Sequence, residues 1–513
     1  MKKYLGIEFG STRIKAVLID ENATTLAVGC YDWENKLIGG VWSYEIDEIK
    51  YGMQQSFLAV SADYESKFGE PITHLDALGI SAMMHGYMAF NDKGELLVPF
   101  RTWRNTMTAA ASDEITEALD APVPQRWTAS HYYQAVLNKE PHLKELSYIC
   151  TLEAYVHYLL SGKRVLGVGE ASGVFPVKGV DYDREKLAIF NGILASHGAT
   201  TPFEDLIPPV MKAGEIAGYL TREGARLLDP SGRLNSGVPM CPPEGDVQTG
   251  MISTGCVRPG TGNVSAGTSS FAAIVTDKDV KRFGSLINKV STPSGNPAVM
   301  IQINNCTCEI NAWTALFKEV LETFGANVST GELMTTLFKL SEKADESVGE
   351  LALFNNLSGE PVLGLNEGVR LLVRPSCSNM TLPNMMKALV YSAVSALSIG
   401  FRILEERGVK PNMLCGHGGY FKTEKIGAKA MAAALNTPIT VLKNASEGGA
   451  WGIATLALYL GNTDKSLEDF LDGIFAAQPK TVEYPDEQEK QTFKHYIENY
   501  EAALPVEFAA IKK

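Results

Sequence analysis

A sequence pattern that occurs twice decides the fold of this protein. Residues 7–20 read I-E-F-G-S-T-R-I-K-A-V-L-I-D, and residues 264–277, half a chain later, read V-S-A-G-T-S-S-F-A-A-I-V-T-D. Each copy has an apolar segment, a glycine with two hydroxyl residues, and a second apolar segment that ends on aspartate. This pattern is typical of a β-hairpin with a tight turn, and its repetition predicts a chain built from two similar halves.

The turns of these two hairpins suit a phosphate group. Glycine lets the backbone approach a ligand closely, and successive N–H groups and hydroxyls donate hydrogen bonds. Either turn alone could be an ordinary hairpin turn. Two copies half a chain apart could instead hold one polyphosphate from opposite sides, and we expect this second arrangement.

Strand-like and helix-like segments alternate around the hairpins, which indicates an α/β protein with helices packed on sheets. Apolar runs at 77–81 and 438–442 predict strands, and residues 425–435 and 447–460 predict helices. A turn-rich stretch at 253–260 predicts the boundary between a domain of residues 1–252 and a domain of residues 253–513. The run from Met385 to Leu404 predicts an amphipathic buried helix with Asn384 as its N-cap and Gly408 as its stop.

Composition narrows the class of protein. A chain of 513 residues is longer than one hydrophobic core can serve, so two or more domains are expected. The net charge of −13 argues against binding to nucleic acid or to an anionic membrane surface. No uncharged apolar run of about 20 residues is present. The eight cysteines are scattered, with Cys306 and Cys308 as the close pair, and no secretion signal is seen. We therefore expect a cytoplasmic protein without a membrane span or a disulfide framework.

Three polar sites could carry chemistry. Asp246, in a Pro/Gly-rich loop, could take a proton from a hydroxyl that attacks a phosphoryl group, or it could cap the helix that starts near Val247. His85, after the predicted strand at 77–81, could bind a sugar hydroxyl or be an ordinary loop histidine. The turn Gly416-His-Gly-Gly could lie beneath a nucleotide, although the chain has no Walker A motif.

Taken in order, these motifs resemble the FGGY family of carbohydrate kinases, in the actin/hexokinase/Hsp70 ATPase superfamily. The resemblance extends from Leu5 to about Leu460. The motifs that carry it are the two hairpins, I-S-A-M-M-H-G from Ile80, P-F-R-T-W-R-N from Pro99, G-D-V-Q-T-G-M from Gly245, I-N-N-C-T-C-E-I-N-A-W from Ile303, G-H-G-G-Y-F-K from Gly416 and E-G-G-A-W-G-I-A from Glu447. The resemblance implies two duplicated ribonuclease H-like, actin-like ATPase domains flanking a deep cleft.

The resemblance also implies roles for individual residues. Asp246 would be the catalytic base, and Glu8 and Asp246 would hold Mg²⁺. The sugar would be bound by Met84, His85, Trp103, Tyr132 and Asp246. ATP would be bound by Gly10, Ser11, Thr12 and Arg13 of the first hairpin, by Gly267 and Thr268 of the second, and by Gly416, Gly418 and Gly419.

The motifs depart from the usual family pattern at three positions. Glu8 stands where most members have an aspartate, and Asn105 and Met107 stand where an aspartate and an arginine usually follow the tryptophan. The M-H-G triplet is similar to that of xylulose kinases, and the G-G-Y-F-K segment is similar to ribulokinase-like members. The expected activity is transfer of the γ-phosphoryl group of ATP to a hydroxyl of a ketose, with xylulose as the first candidate.

Other activities and states stay open. Ribulose, rhamnulose, erythritol or glycerol could be the acceptor. The chain could instead be a non-kinase ATPase of the same fold, or a sugar-binding relative that has lost catalysis, as the departure at Glu8 would allow. The sequence also leaves open whether the protein is a homodimer.

Overall fold

The structure, a computed structural model, describes residues 1–278, 286–423, 425–442, 448–476 and 478–511. Its strands are β1 (Tyr4–Phe9), β2 (Arg13–Ile19), β3 (Thr25–Asp32), β4 (Lys36–Ile38), β5 (Val41–Ser43), β6 (Ala77–Ala82), β7 (Met88–Phe90), β8 (Tyr148–Cys150), β9 (Leu166–Gly167), β10 (Val177–Lys178), β11 (Asp181–Tyr182), β12 (Val210–Met211), β13 (Gly218–Tyr219), β14 (Pro239–Met240), β15 (Glu244–Gly245), β16 (Thr261–Ala266), β17 (Ser270–Val275), β18 (Ile287–Ser291), β19 (Pro297–Ile303), β20 (Ala352–Asn355), β21 (Arg370–Val373), β22 (Met413–His417), β23 (Ile439–Leu442) and β24 (Lys480–Glu483).

The α-helices are α1 (Ile46–Phe68), α2 (Ala109–Ala118), α3 (Thr128–Leu137), α4 (Leu152–Ser161), α5 (Val168–Val174), α6 (Arg184–Ser196), α7 (Phe203–Leu206), α8 (Arg222–Leu228), α9 (Asp246–Thr254), α10 (Cys308–Thr323), α11 (Thr330–Leu340), α12 (Leu382–Glu406), α13 (Ile426–Leu435), α14 (Gly448–Tyr459), α15 (Leu467–Ala476) and α16 (Glu487–Ile511). The predicted α/β class is confirmed by these elements.

The chain forms two compact units, and neither is continuous in sequence. The first contains Met1–Arg258, Asp279–Ala298 and Ser446–Ala477, and the second contains Pro259–Lys278, Val299–Ala445 and Gln478–Lys513. The division into domains at residue 252, drawn from sequence, stays a prediction.

The first unit is built on a mixed sheet in the order β13-β14-β6-β1-β2-β3, with β15 also pairing with β6. Strands β1 and β2 are antiparallel, with Phe9 opposite Ile14, so the first predicted hairpin is confirmed. Strand β6 runs parallel to β1, which brings the carboxyl ends of both strands to one edge of the sheet. Helix α1 packs on β2 and β3, and α14 packs on β1 and β6.

The second unit repeats this arrangement in a sheet with the order β19-β17-β16-β22-β23-β24. Strands β16 and β17 form the second predicted hairpin, with Val264 opposite Ala272. Strand β22 runs parallel to β16, as β6 does to β1. Each half therefore has a hairpin whose first strand lies beside a parallel strand, which is the duplication that the repeated sequence predicts.

The long apolar helix α12 is also found, but it begins earlier than predicted. Its N-cap is Thr381, whose hydroxyl accepts a hydrogen bond from the backbone N–H of Asn384, so the prediction of Asn384 as N-cap was wrong. The reason is Pro383, which fits the first helical turn because that position needs no N–H donor. The helix ends before Gly408, as predicted.

By length and composition α12 could span a membrane, but 78% of its most apolar window is buried inside the protein.

The shorter predicted elements are found with small shifts. The strand predicted at 77–81 is β6, and that at 438–442 is β23. The helix predicted at 425–435 is α13, and that at 447–460 is α14, whose described part starts at Gly448. Glu447 lies outside the described residues.

Candidate active site

Asp246 lies where two parallel strands end. Strand β15 pairs with the last residues of β6, with Gly245 opposite Ala82, so α9 starts beside the loop that follows β6. The Oδ1 atom of Asp246, the first residue of α9, accepts hydrogen bonds from the backbone N–H groups of Met84 (3.2 Å) and Val247 (2.9 Å). Its Oδ2 atom has no hydrogen-bond partner among the described residues. The N-cap of α9 is Gly245, with no side-chain cap, so the alternative interpretation of Asp246 as the cap was wrong. The Asp246 carboxylate binds backbone N–H groups through Oδ1 and keeps Oδ2 open.

Burial raises the pKa of Asp246, and the hydrogen bonds from Met84 and Val247, together with the charge of Arg126, oppose that rise. These donors stabilise the ionised form, which is the form that a base needs.

His85 is fixed on both sides in a strained loop. Its φ is +73°, an uncommon value for a residue with a side chain. Its backbone N–H donates to Oε1 of Glu170 (3.0 Å), and its Nδ1 atom lies 3.2 Å from the carbonyl oxygen of Gly173. Because a carbonyl can only accept, Nδ1 carries the proton. Burial, followed by the charge of Arg126, lowers the pKa of His85 well below its usual value. The ring is therefore neutral, and Nε2 is left as an acceptor.

Buried carboxyl groups hold the loop of His85 through hydrogen bonds. The sequence analysis did not predict them. Glu244 accepts hydrogen bonds from the backbone N–H groups of Gly169 (3.3 Å) and Glu170 (2.9 Å) at the start of α5. Glu170 in turn holds the N–H of His85. Burial raises the pKa of Glu244 to about 8, and burial with the neighbouring Glu153 raises that of Glu170. No local pattern marks these residues, because their partners lie on elements distant in sequence.

Glu8 faces the start of α14. Its Oε2 atom accepts a hydrogen bond from the backbone N–H of Ala450 (3.1 Å). A Cβ atom on Gly449 would lie 2.4 Å from Oε1 of Glu8, so any larger residue there would force the Glu8 carboxylate to shift. Burial and the charge of Asp246 raise the pKa of Glu8 to about 7. Two carboxylates that repel each other in a buried site fit a divalent cation, because a cation would favour their ionised forms.

The turn of the first hairpin presents its donors and hides its acceptors. The carbonyl oxygens of Gly10, Ser11 and Thr12 accept hydrogen bonds from Trp33 Nε1 (2.7 Å), the Tyr44 hydroxyl (2.6 Å) and the backbone N–H of Trp33 (3.1 Å), respectively. The N–H groups of Ser11 and Thr12 have no partner within the part of the chain that the structure describes. The turn is thus suited to binding an anion. Its carbonyl oxygens, which would repel an anion, are bound to donors of the protein, and the N–H groups of Ser11 and Thr12 remain free to donate.

Two other predicted residues lie next to this turn. Trp103 is 39% exposed, and its Nε1 atom donates to Oγ of Ser11 (3.3 Å). Arg13 forms an exposed ion pair with Asp32 (2.5 Å). The structure therefore places Trp103 beside the turn of the first hairpin, and it directs Arg13 to a surface carboxylate.

Asn105, which departs from the family pattern, has a structural explanation. Its Oδ1 atom accepts from the N–H of Trp42 (2.9 Å), and its Nδ2 atom donates to the carbonyl oxygens of Trp42 (2.8 Å) and Thr102 (3.0 Å). An aspartate could only accept and would repel both carbonyls. Asn105 thus fixes the segment that carries Tyr44, two residues after Trp42. Met107 is 41% exposed, and nothing in the structure explains its replacement of arginine.

Tyr132 is not brought to Asp246 by any contact in the structure. It lies on α3, is 4% exposed, and stacks on Phe203 with ring centroids 5.5 Å apart. Its role in sugar binding stays a prediction that these contacts do not support.

Arg126 is the main site residue that sequence reasoning missed. Its carbonyl oxygen accepts from the N–H of Gly86 (3.3 Å), and its guanidinium interacts electrostatically with Asp246 and His85. Burial lowers the pKa of Arg126 to about 10. Arg126 belongs to none of the sequence motifs. It lies just before α3, and nothing in the neighbouring sequence predicts that it comes near Asp246.

In the second unit, the other hairpin turn follows the same scheme. The carbonyl oxygen of Gly267 accepts from the N–H (3.0 Å) and the hydroxyl (2.7 Å) of Thr307, and that of Thr268 accepts from the N–H of Cys306 (2.8 Å). Cys306 and Thr307 thus serve the second turn as Trp33 and Tyr44 serve the first.

The glycine-rich turn lies directly beside this second hairpin. Strand β22 pairs with β16 so that Gly416 is opposite Val264. Gly418 has a φ of 103°, and a Cβ atom there would lie 2.4 Å from the carbonyl oxygen of Ala266, so the backbones can meet only at a glycine. Gly419 follows at the start of a short 3₁₀ turn. Burial lowers the pKa of His417, between these glycines, to about 4. Within this unit, the predicted phosphate and adenosine segments are therefore neighbours.

Comparison with known proteins identifies the family of the chain. Residues 3–253 match the N-terminal domain, and residues 262–460 the C-terminal domain, of the FGGY family of carbohydrate kinases. The chain is 22% identical to a xylulose kinase of Haemophilus influenzae, over 97% of this chain and 98% of that protein. It is 24% identical to a glycerol kinase of Thermococcus onnurineus, over 56% of this chain and 57% of that protein.

Solved structures show the same fold. A ligand-bound xylulose kinase from Lactobacillus acidophilus superposes with a TM-score of 0.80 at 16% identity, covering 100% of this chain and 99% of that one. The predicted fold class, with two actin-like ATPase domains, is confirmed by this likeness. With both family domains matched in order along the sequence, this chain belongs to the FGGY family of carbohydrate kinases.

Proposed function

We propose that this carbohydrate kinase transfers the γ-phosphoryl group of ATP to a hydroxyl of a ketose, with D-xylulose as the first candidate. The observation that carries the proposal is the open Oδ2 atom of Asp246, held at the same loop as the neutral acceptor Nε2 of His85. A base and an acceptor on one loop suit a substrate with several hydroxyls. The full-length match to a xylulose kinase supports the choice of sugar.

In this mechanism, Asp246 takes the proton of the attacking hydroxyl through Oδ2. His85 accepts a hydrogen bond from a second hydroxyl and so orients the sugar. The free N–H groups of Ser11 and Thr12 hold phosphate oxygens, and Trp33 and Tyr44 keep the turn in the conformation that presents them. Positioning and fixed dipoles provide most of the rate enhancement.

Glu8 and Asp246 would hold the Mg²⁺ that accompanies ATP. No group of three or more His, Cys, Asp or Glu side chains that could hold a metal is present among the described residues. A cation at Glu8 and Asp246 would therefore take the rest of its ligands from phosphate and water. When bound, it would offset the charge of the phosphates. Glu8 supplies a carboxylate here, as the usual aspartate would.

The experiment is a coupled ADP assay with D-xylulose, D-ribulose and glycerol as acceptors. D-xylulose should accelerate ADP release far more than glycerol. Asp246→Asn should lower turnover by roughly 10²–10⁴-fold, because the amide cannot accept the proton. The exposed Asp113→Asn serves as a matched control and should retain normal turnover.

Three outcomes would contradict the proposal. Glycerol as the best acceptor would overturn the choice of sugar. ADP release that no acceptor accelerates would favour an ATPase without a sugar acceptor, and Asp246→Asn with more than about a tenth of normal turnover would remove Asp246 as the base.

A further inference from the structure

The loop of His85 rests on the short helix α5. The backbone N–H of His85 donates to Oε1 of Glu170 (3.0 Å), and the ring atom Nδ1 lies 3.2 Å from the carbonyl oxygen of Gly173. Glu170 and Gly173 are three positions apart, so they are neighbours on the surface of the helix. A single helix therefore fixes both the backbone and the ring of His85.

The contact with Gly173 leaves no room for a side chain on the helix. A Cβ atom at position 173 would lie 2.5 Å from Nδ1 of His85 and 2.9 Å from Cε of Met84. The ring of His85 therefore packs directly on the backbone of α5, where the carbonyl oxygen accepts its Nδ1 proton. Because of this contact, Nε2 is the nitrogen without a proton and can accept from a substrate hydroxyl.

The contact with Glu170 holds a backbone conformation that would not persist by itself. His85 has a φ of +73°, and a residue with a side chain stays in this region only when its surroundings favour it. Among the described residues, Glu170 is the acceptor of the His85 N–H. Without that acceptor, the backbone would be free to leave the left-handed region and would carry the ring away from Gly173.

Glu170 is also tied to the segment that carries Asp246. Glu244, two residues before Asp246, accepts a hydrogen bond from the backbone N–H of Glu170 (2.9 Å). Asp246 accepts one from the N–H of Met84 (3.2 Å), the residue before His85. Hydrogen bonds thus join residues 244–246 to residues 84–85 at two places, one directly and one through Glu170. These contacts together set the position of His85 relative to Asp246.

We propose that Glu170 is a positioning residue for phosphoryl transfer, which acts through His85. Its carboxyl group holds the His85 backbone so that Gly173 fixes the tautomer of the ring. Nε2 then accepts a hydroxyl of the sugar at a set position relative to Asp246. The inference rests on the proposed kinase function and deepens it, because it names the residue that determines how His85 presents its acceptor atom.

A conservative variant follows from the second oxygen of Glu170. Oε2 of Glu170 and Oε1 of Gln248 are both buried, and neither has a hydrogen-bond partner within the described part of the chain. They lie 2.5 and 2.8 Å, respectively, from the position that a Cβ atom would take on Gly245. Glutamine at position 170 would keep an acceptor for the N–H of His85 and would add an amide donor near Gln248. We therefore expect Glu170→Gln to keep the function of the glutamate.

The first test compares Glu170→Met and Glu170→Gln with the wild type, using D-xylulose as acceptor. Methionine fills a similar volume without a strong acceptor, so kcat/KM for the sugar should fall by roughly 10- to 100-fold. KM for ATP should stay within about twofold, and Glu170→Gln should stay within about threefold of the wild-type kcat/KM. The exposed Glu185→Met is the matched control and should have no effect.

The second test asks whether Glu170 acts through His85. In a double variant, Glu170→Met should lower the kcat/KM of His85→Ala by no more than about twofold, because the ring that Glu170 positions is already absent. A side chain that only supported the fold would cause the same loss in both backgrounds.

The third test observes the histidine ring without any substrate. In protein labelled with ¹⁵N-histidine, the ring signals of His85 are identified by their absence in His85→Ala. The wild type should show one protonated and one unprotonated ring nitrogen, as a single neutral tautomer gives. Glu170→Met should give the signals of mixed tautomers, whereas Glu170→Gln and Glu185→Met should keep the wild-type pattern.

An unchanged kcat/KM in Glu170→Met, or an equal loss in both backgrounds, would overturn the role of Glu170. An unchanged His85 tautomer in that variant would overturn it as well. If Glu170→Met does not fold, Glu170→Ala is measured in the same three tests with the same criteria. If the wild type phosphorylates no acceptor sugar, the proposed kinase function is wrong, and the histidine signals alone decide whether Glu170 positions His85.

Discussion

Tyr44→Phe tests whether the phosphate turn depends on the aromatic residues behind it. The Tyr44 hydroxyl donates to the carbonyl oxygen of Ser11 (2.6 Å), and its ring, 1% exposed, stacks on Trp33 with centroids 4.0 Å apart. Phenylalanine keeps the ring and its packing and removes only the donor. The Ser11 carbonyl then either stays unpaired or turns, and turning it also turns the N–H of Thr12, which belongs to the same peptide group.

The magnitude follows from that single hydrogen bond. Leaving a buried acceptor unpaired costs about 1–3 kcal/mol. If about 1–2 kcal/mol of this appears as lost stabilisation of the transferring phosphates, kcat/KM for ATP should fall by roughly 5- to 30-fold. KM for the sugar should stay within about twofold, because Tyr44 contacts the turn and not the loop of His85.

The assay measures initial rates with varied ATP at saturating sugar, beside thermal unfolding of each variant. Tyr64→Phe is a matched control, because its hydroxyl is also bound, to Glu70 (2.9 Å), but lies on α1 away from the turn. It should leave kcat/KM for ATP unchanged. If Tyr44→Phe has a kcat/KM for ATP within about twofold of the wild-type value, the turn does not need its carbonyl held.

Three further perturbations probe the metal site and the second unit. Glu8→Ala should raise the Mg²⁺ concentration needed for half-maximal rate several-fold, whereas Glu8→Asp should not; equal Mg²⁺ dependence would show that the carboxylate only packs the hairpin. Gly449→Ala would put a Cβ atom 2.4 Å from Oε1 of Glu8, and we expect at least about a tenfold loss of kcat with the fold retained; normal kcat would contradict this. Glu489→Gln breaks the buried ion pair with Lys387 and should lower stability by about 3–5 kcal/mol in denaturant titrations. The control Glu501→Gln loses an exposed pair and should cost at most about 1 kcal/mol; equal effects would refute the importance of burial.

The sequence by itself determined the features that depend on neighbouring residues. The two hairpins were predictable because a glycine and two hydroxyls between apolar runs define a tight turn locally, and both were found where the repeat places them. The class of fold followed from the alternation of strands and helices. Asp246, His85 and the glycine turn at 416–419 could be predicted as site residues because they lie in short motifs at strand ends. Even the one misplaced cap, Asn384, was an error of three residues, caused by a proline that fits inside the first turn.

Only the tertiary structure decided which residues support those motifs. Tyr44 holds Ser11 from 33 residues away, and Asn105 holds Trp42 from 63 residues away. The loop of His85 also has neighbours on other elements, namely Arg126, Glu170 and Glu244. No local sequence pattern predicts them. The physical reason is that a turn or a helix is set by bonds between residues a few positions apart, whereas hydrogen bonds and charges act through space. Which donor meets which acceptor across a site is fixed only when the sheet order brings distant elements together.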